Sequence, residues 1–353
     1  MAMTPQTVQS GATEMSQLGA SGLRVSRLWL GAMTFGGATD EQEAGRIVDL
    51  ARESGVNAID TADVYAGGAS EAITGRLISR DRGRWIVATK AGAAAGPDPN
   101  ERGLSRRHLI SACEGSLTRL GTDWIDVYYW HTEDHVTPLE ESISAMGDLI
   151  RTGKIRYFAL SNHRAWRIAR VVEMCRAMGV PPPVAVQPPY SAVTRGIEVE
   201  VIPCANHYGL GVVAYSPLAR GVLTGKYRAG TVPESRASRA DKRLMETEFR
   251  PESIAIATRL ADHAEATGRT PTAFAIRWAL ANRLIAGVIA GPRDLVQWRA
   301  YVDVAGATWG EADEALVNSL VPPGHASTPG YTDPAYPVAG RLCRINFGQA
   351  GGG

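Results

Sequence analysis

Residues 57–71 read N-A-I-D-T-A-D-V-Y-A-G-G-A-S-E, and this stretch decides how the rest of the chain is interpreted. It begins as a short apolar run that ends in Asp60, and Tyr65 follows five residues later, before a Gly-Gly pair. A buried strand with this ending places Asp60 and Tyr65 at the carboxyl edge of a parallel sheet, where such sheets hold their chemistry. The simpler alternative is that Asp60 caps a turn and Tyr65 is an aromatic residue at the rim.

Short apolar segments alternate with longer helical patterns on both sides of this stretch. The eight predicted strands are residues 27–30, 58–60, 85–89, 126–130, 155–160, 184–187, 211–215 and 286–290. The predicted helices are residues 40–54, 70–79, 105–120, 139–152, 166–178, 199–208 and 271–282, and another begins after the last strand. Alternating strands and helices form right-handed βαβ units around a parallel sheet, and eight units predict an α/β fold closed as a (β/α)8 TIM barrel.

Several residues are typical of helix starts. Thr39 and Asp40, Ser70, and Ser105 are candidate N-caps, and Pro271 stands where a proline is tolerated in a first turn. These positions support the predicted helix boundaries.

The segments outside the repeating units predict a single large domain with extensions. Residues 1–15 are interpreted as a flexible extension, residues 16–320 as the barrel and residues 321–353 as a C-terminal tail. Residues 15–25 resemble a β-hairpin turned at residues 20–22, which would plug the bottom of the barrel. Residues 218–251, the long Arg-rich loop after strand seven, have the length of a functional lid or a disordered segment.

Composition excludes several classes of protein. The 353 residues carry a formal charge of +1, which gives no electrostatic footprint for nucleic acid or a membrane surface. No apolar run is long enough to span a bilayer, and the N-terminus lacks the features of a secretory signal. Cys113, Cys175, Cys204 and Cys343 are scattered, with no C-x-x-C, which favours reduced thiols in a cytoplasmic enzyme.

Hydrogen-bonding side chains end six consecutive predicted strands. They are Asp60 with Tyr65, Lys90, His131, Ser161 with Asn162, Gln187, and Tyr215 with Ser216. Each of these residues alone has an ordinary explanation as a solvated or rim residue. Six consecutive strand ends of this kind are hard to attribute to packing, and in a barrel their loops converge on one face. The pattern therefore predicts one site.

The chain resembles the aldo-keto reductase family over residues 19–301. The motifs that carry the resemblance are L-G-A-M-T-F-G at residue 30, I-D-T-A-D-V-Y with G-A-S-E at residue 59, V-A-T-K at residue 87, G-L-S-R-R-H-L at residue 103, S-L-T-R-L-G-T-D-W-I-D-V-Y at residue 116, H-T-E-D at residue 131, G-K-I-R-Y-F-A-L-S-N at residue 153 and A-Y-S-P-L-A-R-G-V-L-T-G-K-Y at residue 214. The resemblance implies a (β/α)8 enzyme that binds a nicotinamide cofactor without a Rossmann domain.

The resemblance further implies a catalytic tetrad of Asp60, Tyr65, Lys90 and His131. Carbonyl reduction needs an acid that protonates the developing alkoxide, and a free Tyr, with a pKa of ~10, is a weak one. A nearby Lys90 ammonium favours the phenolate and is expected to lower the pKa of Tyr65. Asp60 would hold Lys90 charged and oriented, and His131 would donate a hydrogen bond to the substrate oxygen.

The same resemblance implies a binding site for NADPH. The nicotinamide carboxamide is assigned to Ser161, Asn162 and Gln187, and the ring stacks on Tyr215. The remaining candidate cofactor residues are Gly31, Met33, Thr34, Ser216, Leu218, Gly221, Lys226, Gly291, Arg293 and Gln297. A helix N-terminus beside Arg293 would bind the 2′-phosphate of NADP, with Gln297 supporting it. Family members usually continue with Glu-Asn, where this chain has Ala300 and Tyr301, which affects the adenine contacts and the preference for NADP over NAD.

The candidate substrate residues are Phe35, Val64, Trp130, His163 and Trp166. Strand alternation places Trp130 opposite His131, so Trp130 is also a candidate core residue. The expected partner is a small-molecule carbonyl: a xenobiotic, cyclic or sugar-derived compound, with a 3-keto trichothecene mycotoxin as one specific candidate. The oligomeric state is left open.

Three alternatives compete with this interpretation. The run H-T-E-D-H groups His131, Glu133, Asp134 and His135, but it follows a strand and has no identifiable remote ligand, so no metal site is predicted. A Rossmann domain is excluded because no G-x-G-x-x-G follows a strand. A regulatory or sensor protein that binds a nicotinamide nucleotide with little turnover remains the alternative to an enzyme.

Overall fold

The computed structural model describes residues 14–337 except 231 and 234, and the side chains of residues 305 and 306 are also left aside. The ten strands of this part of the chain are β1 (Met15–Gln17), β2 (Arg24–Ser26), β3 (Leu28–Gly31), β4 (Ala58–Asp60), β5 (Ile86–Ala91), β6 (Ile125–Trp130), β7 (Ile155–Ser161), β8 (Ala185–Gln187), β9 (Gly211–Tyr215) and β10 (Ile285–Ala290). The strands β3 to β10 form a closed barrel in which every neighbouring pair is parallel. The predicted (β/α)8 barrel is therefore confirmed.

Eleven α-helices are present in the same described residues. They are α1 (Glu41–Glu53), α2 (Ala69–Ile78), α3 (Arg106–Leu120), α4 (Leu139–Arg151), α5 (Ala165–Met178), α6 (Val201–Tyr208), α7 (Lys242–Thr247), α8 (Pro251–Ala266), α9 (Pro271–Ala281), α10 (Leu295–Val302) and α11 (Glu311–Leu320). None of them combines the length and the apolar character that crossing a bilayer requires.

Local sequence explains most helix starts. Asp40, Ser105 and Thr270 each accept a hydrogen bond from a backbone N–H three residues further along, as N-caps do. The prediction for Ser70 is wrong: α2 begins at Ala69 after Gly68, whose φ of +92° favours glycine. The Ser70 hydroxyl instead binds the carbonyl of Ala32, so it joins α2 to the loop after β3.

The helices α7, α8 and α11 have no counterpart among the predicted segments. The signal for α8 is nevertheless visible, because its buried residues Ser253, Ala257, Leu260, Ala261 and Ala264 follow helical spacing. The helix α7 lies within the long loop after β9, together with a 3-10 turn at Ala219–Thr224, so much of that loop is structured.

The strands separate two hydrophobic clusters. The inner cluster fills the barrel and includes Trp29, Val127 and Tyr129. The outer cluster lies between the strands and the surrounding helices, and it includes Tyr128 and Trp130. Successive side chains of a strand point to opposite faces, which explains why neighbours on β6 belong to different clusters.

The hairpin of β1 and β2 covers the amino-terminal end of the barrel. Its strands pair antiparallel, Leu18 belongs to the inner cluster, and Ala20 N–H donates to the Gly209 carbonyl at 2.7 Å. A Cβ at Gly19 would lie 2.5 Å from the Val184 carbonyl oxygen, so the turn touches the barrel backbone directly. The expected plug is present.

The described part of the C-terminal segment, residues 321–337, packs across the loop after β9. Asp333 accepts two hydrogen bonds from Arg243, at 3.0 and 2.6 Å, and the Arg250 guanidinium lies 3.7 Å from the centre of the Tyr331 ring. The segment therefore forms part of the carboxyl face of the barrel. Residues 1–13 and 338–353, which belong to the predicted extension and tail, lie outside the described residues.

The contact at Gly19 predicts that alanine destabilises the protein at Gly19 but not at Gly22 of the same turn. Gly19→Ala places a methyl group against backbone atoms at a φ of +58°, so we expect it to cost about 1–3 kcal/mol of stability. Gly22→Ala is the matched control, because a Cβ at Gly22 meets nothing within 4 Å. Urea unfolding of both variants measures the difference, and equal stability of the two would contradict the close contact.

Candidate active site

Asp60 and Lys90 form a buried ion pair at the carboxyl ends of β4 and β5. Lys90 Nζ lies 2.5 Å from Asp60 Oδ1 and donates a second hydrogen bond to the Thr61 carbonyl at 2.7 Å. The other Asp60 oxygen accepts a hydrogen bond from Gln187 Nε2 at 2.8 Å. Burial lowers the pKa of Lys90, but the Asp60 carboxylate raises it, and the net pKa is above its ordinary value. The ammonium therefore keeps its charge in the core.

Tyr65 contacts this ion pair from the loop after β4. Its hydroxyl oxygen lies 3.4 Å from Lys90 Nζ, which is also 4.9 Å from the centre of its ring. Burial raises the pKa of Tyr65, and the Lys90 charge lowers it by less, so the net pKa is above its ordinary value. Lys90 acts in the predicted direction, but the expectation of a lowered pKa is wrong for this site, because desolvation outweighs the charge.

His131 completes the group at the end of β6. Its ring centre lies 5.8 Å from that of Tyr65, with the rings nearly perpendicular. Burial, together with the Lys90 charge, lowers the pKa of His131 to about 3, so the imidazole is neutral at neutral pH. Its Nδ1 atom is buried without a partner. The structure thus brings Asp60, Tyr65, Lys90 and His131 together.

A hydrogen-bond network joins the residues assigned to the nicotinamide. Ser161 Oγ donates to the Gln187 carbonyl at 2.9 Å, and Asn162 Nδ2 donates to the His131 carbonyl at 2.9 Å. Tyr215 hydroxyl donates to Asn162 Oδ1 at 2.8 Å, which fixes the position of its ring. Amide and hydroxyl groups beside a held aromatic ring fit a flat heteroaromatic ring with a carboxamide.

Gln187 has a second role that the sequence does not predict. It donates to Asp60, so it connects the proposed cofactor residues with the ion pair. The strands β4 and β8 lie on opposite sides of the barrel, and only the closed ring of strands places these two side chains together.

The candidate phosphate-binding residues lie where β3 and β10 end. A Cβ at Gly31 would lie 3.2 Å from Gly291 Cα, so the two strand ends approach closely. Thr34 Oγ1 donates to the carbonyl of Pro292 at 2.8 Å, which joins the two loops. Arg293 is half-buried, and its backbone N–H donates to Gln297 Oε1 at 3.0 Å.

The start of α10 differs from a free anion-binding helix terminus. Asp294 caps the helix and accepts a hydrogen bond from Gln297 N–H, while Leu295 N–H donates to Glu43 at 2.6 Å. Two carboxylates already use donors that a phosphate would need. The N–H groups of Leu295 and Gln297 are therefore already used within the chain.

The turn after β9 holds the next group of candidate residues. Ser216 has a φ of +57°, Leu218 is buried and Gly221 has a φ of +97°. A Cβ at Gly221 would lie 2.9 Å from the ammonium of Lys226, which is exposed. A glycine here leaves room for Lys226 above the turn.

The candidate substrate residues do not form one surface. Phe35, Trp130 and His163 are buried in the packing around the barrel, and Trp130 lies 5.3 Å from Phe158, centre to centre. Strand alternation turns Trp130 toward the helices, as its place in the outer cluster shows.

The other pocket candidates differ in exposure. Trp166 is 59% exposed at the start of α5, with Arg167 near its ring, and Met33 is 42% exposed. Val64 directly precedes Tyr65 and is half-buried. Val64 and Met33 are therefore better placed for a ligand than Trp130.

The residues of the rival metal site have other partners. Glu133 accepts hydrogen bonds from the backbone and the side chain of Arg164, both at 2.7 Å, and Asp134 accepts from several backbone N–H groups, Leu104 among them. Within residues 14–337, gaps excepted, there is no group of three or more His, Cys, Asp or Glu that could hold a metal ion.

Several groups around the site were missed from the sequence. They are Arg220 in the turn after β9 and Asp333 and Tyr336 in the C-terminal segment. Burial raises the pKa of both Tyr65 and Tyr336, and the Arg220 charge lowers each pKa by less. No motif in the sequence shows that residues so far along the chain return to Tyr65.

Asp63 is the other missed group. Both of its carboxylate oxygens are buried near the buried Glu71, and no side chain of the described residues donates a hydrogen bond to them. Burial, with Glu71, raises the pKa of Asp63 to about 7, although Arg119 and Lys90 lower it. The loop that carries Tyr65 therefore contains a carboxyl group that titrates near neutral pH.

Comparison with known proteins matches this chain to one family and to several named relatives. The model of the Aldo/keto reductase family matches residues 27–319. A "Probable voltage-gated potassium channel subunit beta" from Oryza sativa subsp. japonica is 37% identical, over 79% of this chain and 87% of the relative. The "Uncharacterized oxidoreductase YrpG" of Bacillus subtilis (strain 168) is 36% identical, over 90% of this chain and 98% of the relative.

The raised pKa of Asp63 predicts that the free energy of unfolding depends on pH. Because its folded pKa is above the unfolded value, stability is lost as pH rises through about 7, where the buried carboxyl must ionise. Asp63→Asn should remove this loss, so its stability relative to wild type should rise by about 2 kcal/mol between roughly pH 5.5 and pH 8.5. Thermal unfolding at both pH values measures the change. Asp123→Asn, at an exposed site, is the control, and parallel pH curves for Asp63→Asn and wild type would refute the assignment.

Proposed function

The chain belongs to the aldo/keto reductase family, and from this premise we propose that it reduces an aldehyde or ketone to an alcohol with a nicotinamide cofactor. The observation that carries the proposal is the buried Asp60–Lys90 ion pair, whose ammonium lies 3.4 Å from the Tyr65 hydroxyl. An ammonium group beside a phenol hydroxyl favours proton transfer from that hydroxyl, and the ion pair fixes where this transfer would occur.

Tyr65 is the proposed proton donor. Its raised pKa keeps the hydroxyl protonated at neutral pH, so a proton is available when negative charge develops on the carbonyl oxygen. The Lys90 charge then stabilises the phenolate that remains after the transfer. Asp60 holds Lys90 through the hydrogen bond described above, and Gln187 in turn donates to Asp60, which makes both of them positioning residues.

His131 is the proposed hydrogen-bond donor to the substrate oxygen. Because its pKa is about 3, it acts as a neutral imidazole and contributes no competing positive charge. Two donors, Tyr65 and His131, would then fix the carbonyl oxygen, and this orientation defines which carbon is exposed to the cofactor.

The proposed cofactor is NADPH, which supplies the hydride when it is bound. Ser161 and Asn162 would hold its carboxamide, and Tyr215, fixed by Asn162, would stack on its ring. We assign its phosphates to the cations Lys226 and Arg293. The match of most of the chain to the family supports this assignment.

The proposed substrate is a small xenobiotic, cyclic or sugar-derived carbonyl compound, and a 3-keto trichothecene mycotoxin is one specific candidate. We further propose that residues 16–320 form the catalytic barrel and that the enzyme works in the cytoplasm. The scattered cysteines support that location.

A regulatory protein that binds the nucleotide is the second candidate function. The relative named a potassium channel β subunit, at 37% identity, is the observation that favours it. Tight NADPH binding without turnover over a panel of sugar aldehydes, aromatic aldehydes and cyclic ketones would support this second candidate.

Replacing the proposed proton donor should separate chemistry from binding. Tyr65→Phe removes only the hydroxyl, so carbonyl reduction should fall by about 10²–10⁴-fold, while the Kd for NADPH stays within about twofold. Stopped-flow hydride transfer and fluorescence titration measure the two quantities. Tyr208→Phe, at the C-terminal end of α6, is a matched control, and near-normal turnover of Tyr65→Phe would exclude the mechanism.

The proposed contact of Arg293 with the 2′-phosphate predicts a preference for NADPH over NADH. Arg293→Gln should raise the KM for NADPH by about 10–100-fold and leave the KM for NADH nearly unchanged, because only NADPH carries the 2′-phosphate. Steady-state kinetics with both cofactors measure the effect. Arg299→Gln, at an exposed position on α10 beyond Arg293, is the control, and an equal effect on both cofactors would contradict the assignment.

A further inference from the structure

Glu71 is a fully buried carboxylate on α2, six residues after Tyr65. Its two oxygens accept hydrogen bonds from different elements of the fold. Oε1 accepts from Thr89 Oγ1 at 2.5 Å, and Oε2 accepts from Arg119 Nε at 2.7 Å. Burying a carboxylate is unfavourable unless hydrogen bonds or an opposite charge compensate it. The position of Glu71 is therefore set by its partners on β5 and α3 together.

Thr89 directly precedes Lys90 on β5, but the two side chains lie on opposite faces of the strand. Ala88 belongs to the inner cluster and Val87 to the outer cluster. Because side chains alternate along a strand, Lys90 projects into the barrel and Thr89 projects toward the helices. The hydrogen bond between Glu71 and Thr89 thus holds the backbone that carries Lys90, and it does so from outside the candidate active site.

The loop that carries Tyr65 ends against the other partner of Glu71. Gly68, the residue directly before α2, has a φ of +92°, and a Cβ there would lie 2.8 Å from Arg119 Cδ. The end of the loop therefore packs directly on the arginine side chain that pairs with Glu71. Any shift of that side chain would be transmitted to the loop, because there is no free space between them.

The contact between Tyr65 and Lys90 joins these two parts of the chain. The Tyr65 hydroxyl lies 3.4 Å from Lys90 Nζ, although one residue lies in the loop after β4 and the other on β5. At the start of the loop, the Asp63 N–H donates to the Lys90 carbonyl at 3.2 Å. At its end, the contacts of Glu71 hold it to β5. A misplacement of about 1 Å in an active site can lower a rate by about 10²-fold.

We propose that Glu71 is a positioning residue for the carbonyl reduction, because it sets where the Tyr65 hydroxyl lies relative to Lys90. It does so through Thr89 on β5 and Arg119 on α3. The inference rests on the proposed reduction and adds a group of residues that touch neither substrate nor cofactor. Removing either partner of Glu71 should slow the chemistry and leave the binding of NADPH unchanged.

Thr89→Val and Thr89→Ser test this proposal as a matched pair. Valine keeps the shape of the side chain but removes the hydroxyl that Glu71 binds, whereas serine keeps the hydroxyl. With NADPH and 4-nitrobenzaldehyde as the probe, we expect Thr89→Val to lower the single-turnover rate of reduction about 10–100-fold and Thr89→Ser to stay within about threefold of wild type. The Kd for NADPH should stay within about twofold of wild type in both variants.

Thr74→Val is the control for the loss of a buried hydroxyl. Thr74 is also fully buried on α2, and no described residue forms a hydrogen bond with its hydroxyl. This variant should reduce the probe at nearly the wild-type rate, and circular dichroism reports the folding of each variant. A wild-type rate in Thr89→Val would overturn the proposal, and so would an equal loss of rate in Thr74→Val.

Arg119→Met removes the other partner of Glu71, so the proposal stays testable if Thr89→Val does not fold. The Arg119 side chain is 34% exposed, and its replacement disturbs the core less than a change at Thr89. We expect the single-turnover rate to fall about tenfold at an unchanged Kd for NADPH. An unchanged rate in folded Arg119→Met would count against the role of Glu71.

Crystal structures of wild type, Thr89→Val and Thr89→Ser separate this inference from the proposed function. The distance between Tyr65 Oη and Lys90 Nζ should be longer in Thr89→Val than in wild type and should return to the wild-type value in Thr89→Ser. If wild type binds NADPH but reduces no carbonyl compound, the proposed reduction fails, and this distance still tests the positioning role. An unchanged distance in Thr89→Val would reject that role whether or not the protein is a reductase.

Discussion

The ion pair of Asp60 and Lys90 is the interaction on which the rest of the site depends. Two charges with almost no solvent contact are stable together only because each has further partners: Thr61 and the Tyr65 hydroxyl for the ammonium, and Gln187 for the carboxylate. Removing either charge would leave the other buried and uncompensated, which typically costs 3–5 kcal/mol in proteins. The contacts that compensate the charges of Asp60 and Lys90 thus also fix the geometry around Tyr65, the proposed proton donor.

That requirement explains why the barrel must close. Asp60, Lys90 and Gln187 come from three strands, and Gln187 reaches Asp60 from across the barrel. An open sheet would separate these side chains by several strand spacings of about 4.8 Å each. Closure brings Asp60, Lys90 and Gln187 within hydrogen-bonding distance. The inner cluster, with Trp29 and Tyr129, fills the barrel interior and excludes water from that side of the ion pair.

The fold and the centre of the site were predictable because they depend on local patterns. All eight barrel strands follow from apolar runs, and Asp60, Lys90 and His131 follow from the polar residue that ends a strand. The net effect on the pKa of Tyr65 was not predictable, since desolvation depends on what surrounds the loop in three dimensions.

The influence of the Arg220 charge on Glu248 and Asp333 was not predictable either, because these residues come from separate parts of the chain. The orientation of Trp130 was predictable, because the alternation of side chains along β6 is enough to place it on the opposite face from His131.

Closure of the barrel also has a consequence for the synthesis of the protein. The first barrel strand, β3, pairs with β4 on one side and with β10 on the other, and β10 is the last of the barrel strands to be made. Until residues 285–290 leave the ribosome, the nascent chain holds an incomplete sheet with an exposed edge at β3. Exposed strand edges invite pairing with other chains, so this protein is most prone to aggregation late in translation. The hairpin of β1 and β2, already made, covers the end of the barrel but leaves that edge open.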